Sequence, residues 1–214
     1  MDIRPNRTGG VLFFFFLTLT FLFGAEENIP KNVLILGDSH AYALKDSFSD
    51  SFNTNIGRID VKGISSSGLA RRDFYDWIAF ADSDLSDGYD LYVVILGTND
   101  GQDSQGTEWE HFGTSQWEYL YMARVESFVT SLSQKGQVLW VSIPRSEDRH
   151  LRIKTEYIQA LIDEVCRYHG VEKLDMTGQI TGDLLKDDGI HFNKMGTLAV
   201  ASLIEKEVKQ VFTH

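Results

Sequence analysis

The sequence has a single cysteine, Cys166, three prolines and few basic residues in 214 positions. One thiol cannot build a disulfide framework within the chain or a cysteine-rich zinc site. It reads as a small apolar side chain buried on a helix. With 3 Pro, 18 Gly and 43% hydrophobic residues, the chain is neither collagen-like nor disordered nor of low complexity. Lys and Arg number 20 against 31 Asp and Glu, a formal net charge of −11. Phosphate backbones and anionic membrane surfaces are bound by Lys and Arg, so neither is expected as the main partner.

The longest hydrophobic run is Val11 to Phe23, 13 uncharged residues with four consecutive phenylalanines. A bilayer-spanning helix needs roughly 20. Arg4 and Arg7 precede the run, Gly24 and Ala25 close it, and Glu26 and Glu27 come next. A positive end, a short apolar stretch and small residues before a polar start read as a secretory signal peptide, with an uncleaved anchor as the alternative. Residues 1–25 are therefore expected to be that signal, with contact to a membrane only during export. Residues 26–214 are expected to be one domain of a periplasmic or secreted protein. Its length suffices for a proper core.

Short apolar runs ended by Gly or Pro mark buried strands: Asn32 to Gly37, Leu91 to Leu96, and Gln137 to Ile143 before Pro144. Ile56 to Val61 and Val171 to Leu174 are weaker candidates. Helical spacing predicts helices over about 41–52, 117–132, 153–168 and 194–211. Strands alternating with helices predict an α/β fold, a three-layer sandwich around a parallel sheet of about five strands. In such sheets ligands bind beyond the carboxyl ends of the strands.

The residues just beyond each strand are therefore informative. Gly37-Asp38-Ser39-His40 comes after the first, Ser65-Ser66-Ser67-Gly68 after the second and Gly97-Thr98-Asn99-Asp100 after the third. Pro144-Arg145 comes after the fourth, and Asp188-Gly189-Ile190-His191 lies beyond the fifth. A serine hydroxyl is a weak nucleophile and needs a base. His191 can take its proton, and Asp188, rather than the adjacent Asp187, can hold the imidazole. The Ser39 and Gly68 backbone N–H groups and the Asn99 amide can donate to an oxyanion. Asp38 reads as a structural hydrogen-bond acceptor.

G-D-S at 37–39, Gly68, G-x-N-D at 97–100 and D-x-x-H at 188–191 resemble the SGNH (GDSL-like) hydrolase superfamily. The resemblance spans about residues 33–203 and is greatest to a poorly characterised, exported bacterial subgroup. It implies the flavodoxin-like SGNH fold, Ser39 as nucleophile, Asp188 and His191 as its partners, and Ser39, Gly68 and Asn99 as the oxyanion hole. It implies no metal and no organic cofactor. His40 stands where the lipase-like branch usually has Leu.

Arg71, Arg72 and Arg145 are candidate contacts for an acidic or sugar substrate, or else ion-pair partners of nearby carboxylates. Trp109, His111, Phe112 and Trp117 fall in a polar insertion over Gly101–Gln116 that suits sugar stacking, a lid, or packing of the loop onto its own helix. The expected activity is hydrolysis of a small acyl ester, acetyl first, on a glycan through an acyl-Ser39 intermediate. The alternatives are an O-acyltransferase, a non-catalytic envelope glycan-binding module, and a lipase or thioesterase. The last needs an apolar channel that these polar loops do not suggest.

Overall fold

The computed structural model describes residues 30–85, 88–106 and 108–212. The signal-peptide expectation over 1–25 lies outside them. The main sheet contains β1 (Asn32–Gly37), β2 (Arg58–Gly63), β3 (Leu91–Ile95), β6 (Gln137–Val141) and β7 (Glu172–Leu174), and β4 (Ser104–Gln105) and β5 (Trp109–Glu110) form a separate hairpin. The strand order is β2-β1-β3-β6-β7 and every neighbouring pair is parallel.

The strands alternate between two cores, as a period of two demands. Leu34, Leu36, Tyr92, Val94 and Trp140 face one side, where Phe128 of α4 (Ser115–Ser133) and Ile158 of α5 (Arg149–His169) cover them. Val33, Ile35, Val93, Ile95 and Val141 face the other. There they meet Ala41 of α1 (Ser39–Ala43), Phe52 of α2 (Asp50–Asn55) and Ile204 of α6 (Lys194–Phe212). These side chains are essentially water-free, and each Val, Leu, Ile or Phe among them contributes about 1.5–3 kcal/mol. Cys166 is fully buried on α5, and burial pushes its thiol up to about 12. The three-layer sandwich with five parallel strands is as the sequence predicts.

Some boundaries differ. The predicted helix over 41–52 is two helices, because the chain turns through Asp46 at φ 63° and restarts at Ser49. Ser49 caps α2 by accepting from the Phe52 N–H, and Glu205 of α6 in turn accepts from the Ser49 N–H at 2.6 Å and its hydroxyl at 2.9 Å. Strand β2 begins at Arg58 rather than Ile56, since Ile56 is the residue that ends α2. A short helix, α3 (Trp77–Ala79), opens under the Asp76 carboxylate and runs into a π-turn over Phe80–Asp84. The β4–β5 hairpin falls in the insertion over Gly101–Gln116.

Two features of this topology set up a site. The chain runs from β1 outward to β2, and from β3 outward the other way, so a crevice opens at the carboxyl ends of β1 and β3. The two ends are tied there, the Asp38 N–H donating to the Ile95 carbonyl at 3.1 Å. Gly37 makes this approach possible, since a Cβ on it would stand 2.0 Å from that carbonyl oxygen.

Candidate active site

Ser39 is the first residue of α1, carried out of β1 by the Gly37-Asp38 turn. Backbone N–H groups in a helix's first turn have no partner within the helix, and Asp38 satisfies one of them by accepting from His40 N at 2.9 Å. Asp38 is thus a structural hydrogen-bond acceptor, as read from the sequence, and the Ser39 hydroxyl is left free to point elsewhere. That hydroxyl lies 3.1 Å from His191 Nε2. His191 Nδ1 lies 2.8 Å from Asp188 Oδ2, so Nδ1 carries the proton and Nε2 presents its lone pair to the serine.

The Asp188 carboxylate is doubly anchored. Its Oδ1 accepts from the backbone N–H of His191 and of Ile190, each at 2.9 Å. The His191 N–H first, then the His191 ring, hold its pKa down to about 2. Asp188 is therefore ionised wherever His191 can act as a base. Asp187, one residue earlier, is exposed and makes none of these contacts. The His191 and Asp188 side chains are 43% and 44% exposed, so this end of the relay is open to solvent.

Asn99 lies just beyond β3. Its Nδ2 donates to the Ser67 carbonyl at 2.9 Å and reaches Asp38 Oδ2 at 3.5 Å. The amide is thereby held between the loop after β2 and the turn after β1. Gly68 is on that loop. A Cβ there would fall 2.0 Å from Asp100 Oδ1. Asp100 is fully buried; it accepts from the Ala70 N–H at 2.8 Å and the Tyr121 hydroxyl at 2.9 Å. Burial raises its pKa to about 6. Arg124, reaching in from α4, donates to the Leu69 and Ala70 carbonyls at 3.1 and 2.6 Å, and Trp77 Nε1 donates to the Ser67 hydroxyl at 3.0 Å. The loop that offers the Gly68 N–H is thus clamped from three sides. Asp100, Arg124, Tyr121 and Trp77 are supports that the sequence motifs do not single out. Asp100 was visible only as part of G-x-N-D.

The candidate arginines separate. Arg72 is tied to Asp76 at 2.9 and 2.5 Å, and Asp76 also caps α3, so its geometry is that of a surface ion pair. Arg71 pairs with Asp73 at 2.7 and 2.6 Å, stacks over the Trp109 ring at 5.2 Å, and approaches Gln102 Oε1 at 3.5 Å. Gln102 Nε2 donates to the Asn99 carbonyl at 2.5 Å, which links this cluster to Asn99. Arg145 is exposed, on a loop whose next residues, Ser146 and Glu147, both donate to the Gly189 carbonyl of the Asp188–His191 turn.

The insertion aromatics divide too. Trp117 is fully buried and Phe112 packs on it edge-to-face at 4.8 Å, so these two fasten the loop to its own helix. Trp109 is 51% exposed. His111 is solvent-facing beside Asp103.

A family model described as a protein of unknown function, DUF459, matches residues 32–184. The chain belongs to the DUF459 family. The DUF459 match covers β1 through the residues before the Asp188–His191 turn, and so includes Ser39, Gly68 and Asn99. No curated protein sequence matches this DUF459 chain. Among solved structures it is similar to Est24, a carbohydrate acetylesterase from Sinorhizobium meliloti. The TM-score is 0.64 at 17% identity, over 85% of this chain and 100% of that one. It is also similar to an inhibitor-bound aryl esterase of M. smegmatis, with TM-score 0.65, 15% identity and coverage of 84% and 99%. For the acetyl xylan esterase AlAXEase the TM-score is 0.61 at 18% identity, over 83% and 99%. The SGNH resemblance read from the motifs agrees with this fold.

Proposed function

We propose that this protein is an exported serine esterase of SGNH type that removes a small acyl group, acetyl first, from a glycan. The observation that carries the reading is the continuous relay from Ser39 Oγ to His191 Nε2 at 3.1 Å and from His191 Nδ1 to Asp188 at 2.8 Å. Ser39 attacks the ester carbonyl as its proton passes to His191 Nε2. Asp188, anionic throughout, stabilises the imidazolium that forms. The developing oxyanion is received by the N–H groups of Ser39 and Gly68 and by the Asn99 amide, whose long 3.5 Å contact with Asp38 Oδ2 gives way to it. Collapse returns the proton to the leaving sugar hydroxyl and leaves acyl-Ser39. Water then gives a proton to His191 and attacks the acyl carbon, and His191 passes that proton to Ser39 Oγ as the acyl–oxygen bond breaks, releasing the acid and free Ser39.

The acetyl-glycan part is supported by the solvent-open relay, by the polar groups beside it, and by similarity to structures described as a carbohydrate acetylesterase and an acetyl xylan esterase. Export is supported by the N-terminal segment alone, and an N-terminus starting near residue 26 on secreted or periplasmic material is the result that bears on it. The esterase reading is tested by acetate release from acetylated polysaccharide and from p-nitrophenyl acetate. Ser39→Ala is expected to abolish both, together with labelling by a fluorophosphonate probe. Labelling that survives in Ser39→Ala would falsify the assignment. Free acetate, rather than a newly acetylated hydroxyl, separates hydrolysis from acyl transfer.

A further inference from the structure

A second imidazole stands behind the relay. His40, directly after Ser39, is 1% exposed, and Asp38 on its other side is 0% exposed. His40 Nε2 lies 3.0 Å from the Ile190 carbonyl oxygen. A carbonyl only accepts, so Nε2 carries a proton. His40 Nδ1 lies 3.1 Å from Asp38 Oδ1. That carboxylate is already used purely as an acceptor, taking the His40 N–H at 2.9 Å on Oδ1 and the Asn99 amide at 3.5 Å on Oδ2. Nδ1 therefore donates as well, and an imidazole donating from both nitrogens is an imidazolium.

We propose that His40 is a buried imidazolium clamp, a positioning residue that ties the Ile190–His191 turn to the nucleophile turn and so fixes where His191 meets Ser39. The clamp is short in sequence at both ends. Asp38 and His40 flank the nucleophile, and Ile190 immediately precedes the base. The His40 ring also lies nearly parallel to His191, at 5.6 Å and 21°, and meets Phe192 edge-on at 4.7 Å, so it forms the wall against which His191 is oriented.

The charges around His40 agree with a cation. Asp38 faces it from the end of β1. Asp188 and His191 face it from the turn before α6, and from the end of β3 it meets only the neutral Thr98, at 3.4 Å. Burial opposes the charge, but the Asp38 bond, the Ile190 carbonyl and Asp188 outweigh it and raise the pKa above 6.5. Losing the proton would set a bare nitrogen against either the Ile190 carbonyl or Asp38, and one side of the clamp would open. The kinetic consequence rests on the esterase reading above; the charge state does not.

The test has two arms. In the first, ¹⁵N-histidine NMR of the intact chain reads both ring nitrogens of His40 at pH 6.5, the value at which an ordinary histidine is half charged. His40 is expected to be mainly doubly protonated there. A neutral, single-tautomer His40 at that pH overturns the proposal, even if no variant folds. In the second arm, His40→Leu removes both bonds, and His40→Gln keeps a donor near the Nε2 position. His40→Leu is expected to lower kcat by about tenfold to a hundredfold, as a displaced base does. KM is expected to stay within about twofold, because His40 touches no substrate. His40→Gln is expected to recover part of kcat. An unchanged kcat in a folded, probe-labelled His40→Leu overturns the positioning role. A wild-type chain that fails to label at Ser39 sinks the esterase reading instead, and leaves the NMR result standing.

Discussion

Gly68 and Asp100 are packed so closely that a Cβ on the first would stand 2.0 Å from the carboxylate oxygen of the second. The carboxylate cannot retreat, because Ala70 N and the Tyr121 hydroxyl hold it at 2.8 and 2.9 Å. Gly68→Ala is therefore expected to push the oxyanion loop outward. Overpacking of this kind costs about 1–3 kcal/mol. Displacing one oxyanion donor costs about 10²–10³ in kcat. Thermal unfolding and kcat for p-nitrophenyl acetate measure the two effects. A variant as stable and as fast as the parent would mean that the loop is not constrained by Asp100.

The same buried carboxyl makes a prediction about pH. Asp100 has a folded pKa of about 6 against an ordinary 3.8. Between those values the folded chain keeps a proton that the unfolded chain has given up, so this group's contribution to stability grows as pH falls from 6 towards 4. The span corresponds to about 3 kcal/mol. Asp100→Asn, which keeps the shape but cannot titrate, is expected to lose that slope. Urea unfolding of parent and variant at pH 4.5 and 7 checks it. Identical pH dependence in the two chains would refute the raised pKa.

Asp188 behaves in the opposite sense. Its pKa of about 2 is set by the His191 N–H first, the His191 ring and the Ile190 N–H. Its stabilising contribution is present above pH 3.8 and lost only as pH falls towards 2. The acid limb of the activity profile above pH 4 is thus not expected to come from Asp188. Asp188→Asn is expected to lower kcat by up to about 10⁴ through loss of the oriented tautomer, and less than His191→Ala. A stopped assay of both variants across pH 4–9 reads this order.

The main sheet was legible because its strands are nearly continuous apolar runs, which parallel strands buried on both faces require. β1 and β3 were readable almost to the residue. The grouping of site residues was legible because Ser39 and Asn99 each follow a strand whose end could be located, and Asp188 and His191 stand three residues apart. The supports were not. Nothing local in Trp77, Tyr121 or Arg124 marks it as a clamp on the Gly68 loop, since those contacts are made across the fold. The β4–β5 hairpin pairs only Ser104 with Glu110 and Gln105 with Trp109, too few residues to show a period of two. Ile56 looked like strand because it is apolar and buried, but it is buried as the end of a helix.

The two arginines after the oxyanion loop are expected to differ. Arg72 is occupied by Asp76 on a partly exposed surface, and such pairs contribute about 0–1 kcal/mol. Arg72→Ala is expected to leave kcat and KM nearly unchanged. Arg71 stacks on exposed Trp109 and connects through Gln102 to Asn99. Trp109→Ala and Arg71→Ala are expected to raise KM for an acetylated oligosaccharide severalfold, as loss of a sugar-stacking face would. They are expected to leave KM for p-nitrophenyl acetate as it was. Equal effects on both substrates would place this cluster outside the sugar's reach.

The acyl group itself should be short. Beside the relay the polar groups are linked to one another: Asn99 donates to the Ser67 carbonyl, Gln102 to the Asn99 carbonyl, and Arg71 approaches Gln102. The relay's His191 and Asp188 side chains are more than two-fifths exposed, at 43% and 44%. A long alkyl chain laid here would strip water from polar groups without replacing their hydrogen bonds, at a cost of about 1–3 kcal/mol for each group left unpaired. In an apolar channel every added methylene would instead gain about 0.8 kcal/mol, close to fourfold in affinity. The two cases have opposite slopes, so a homologous series of p-nitrophenyl esters distinguishes them. We expect kcat/KM to fall from acetyl to butyryl to octanoyl. A flat or rising series out to octanoyl would remove the short-acyl glycan reading and favour a lipase, while the relay of Ser39, His191 and Asp188 would serve either chemistry unchanged.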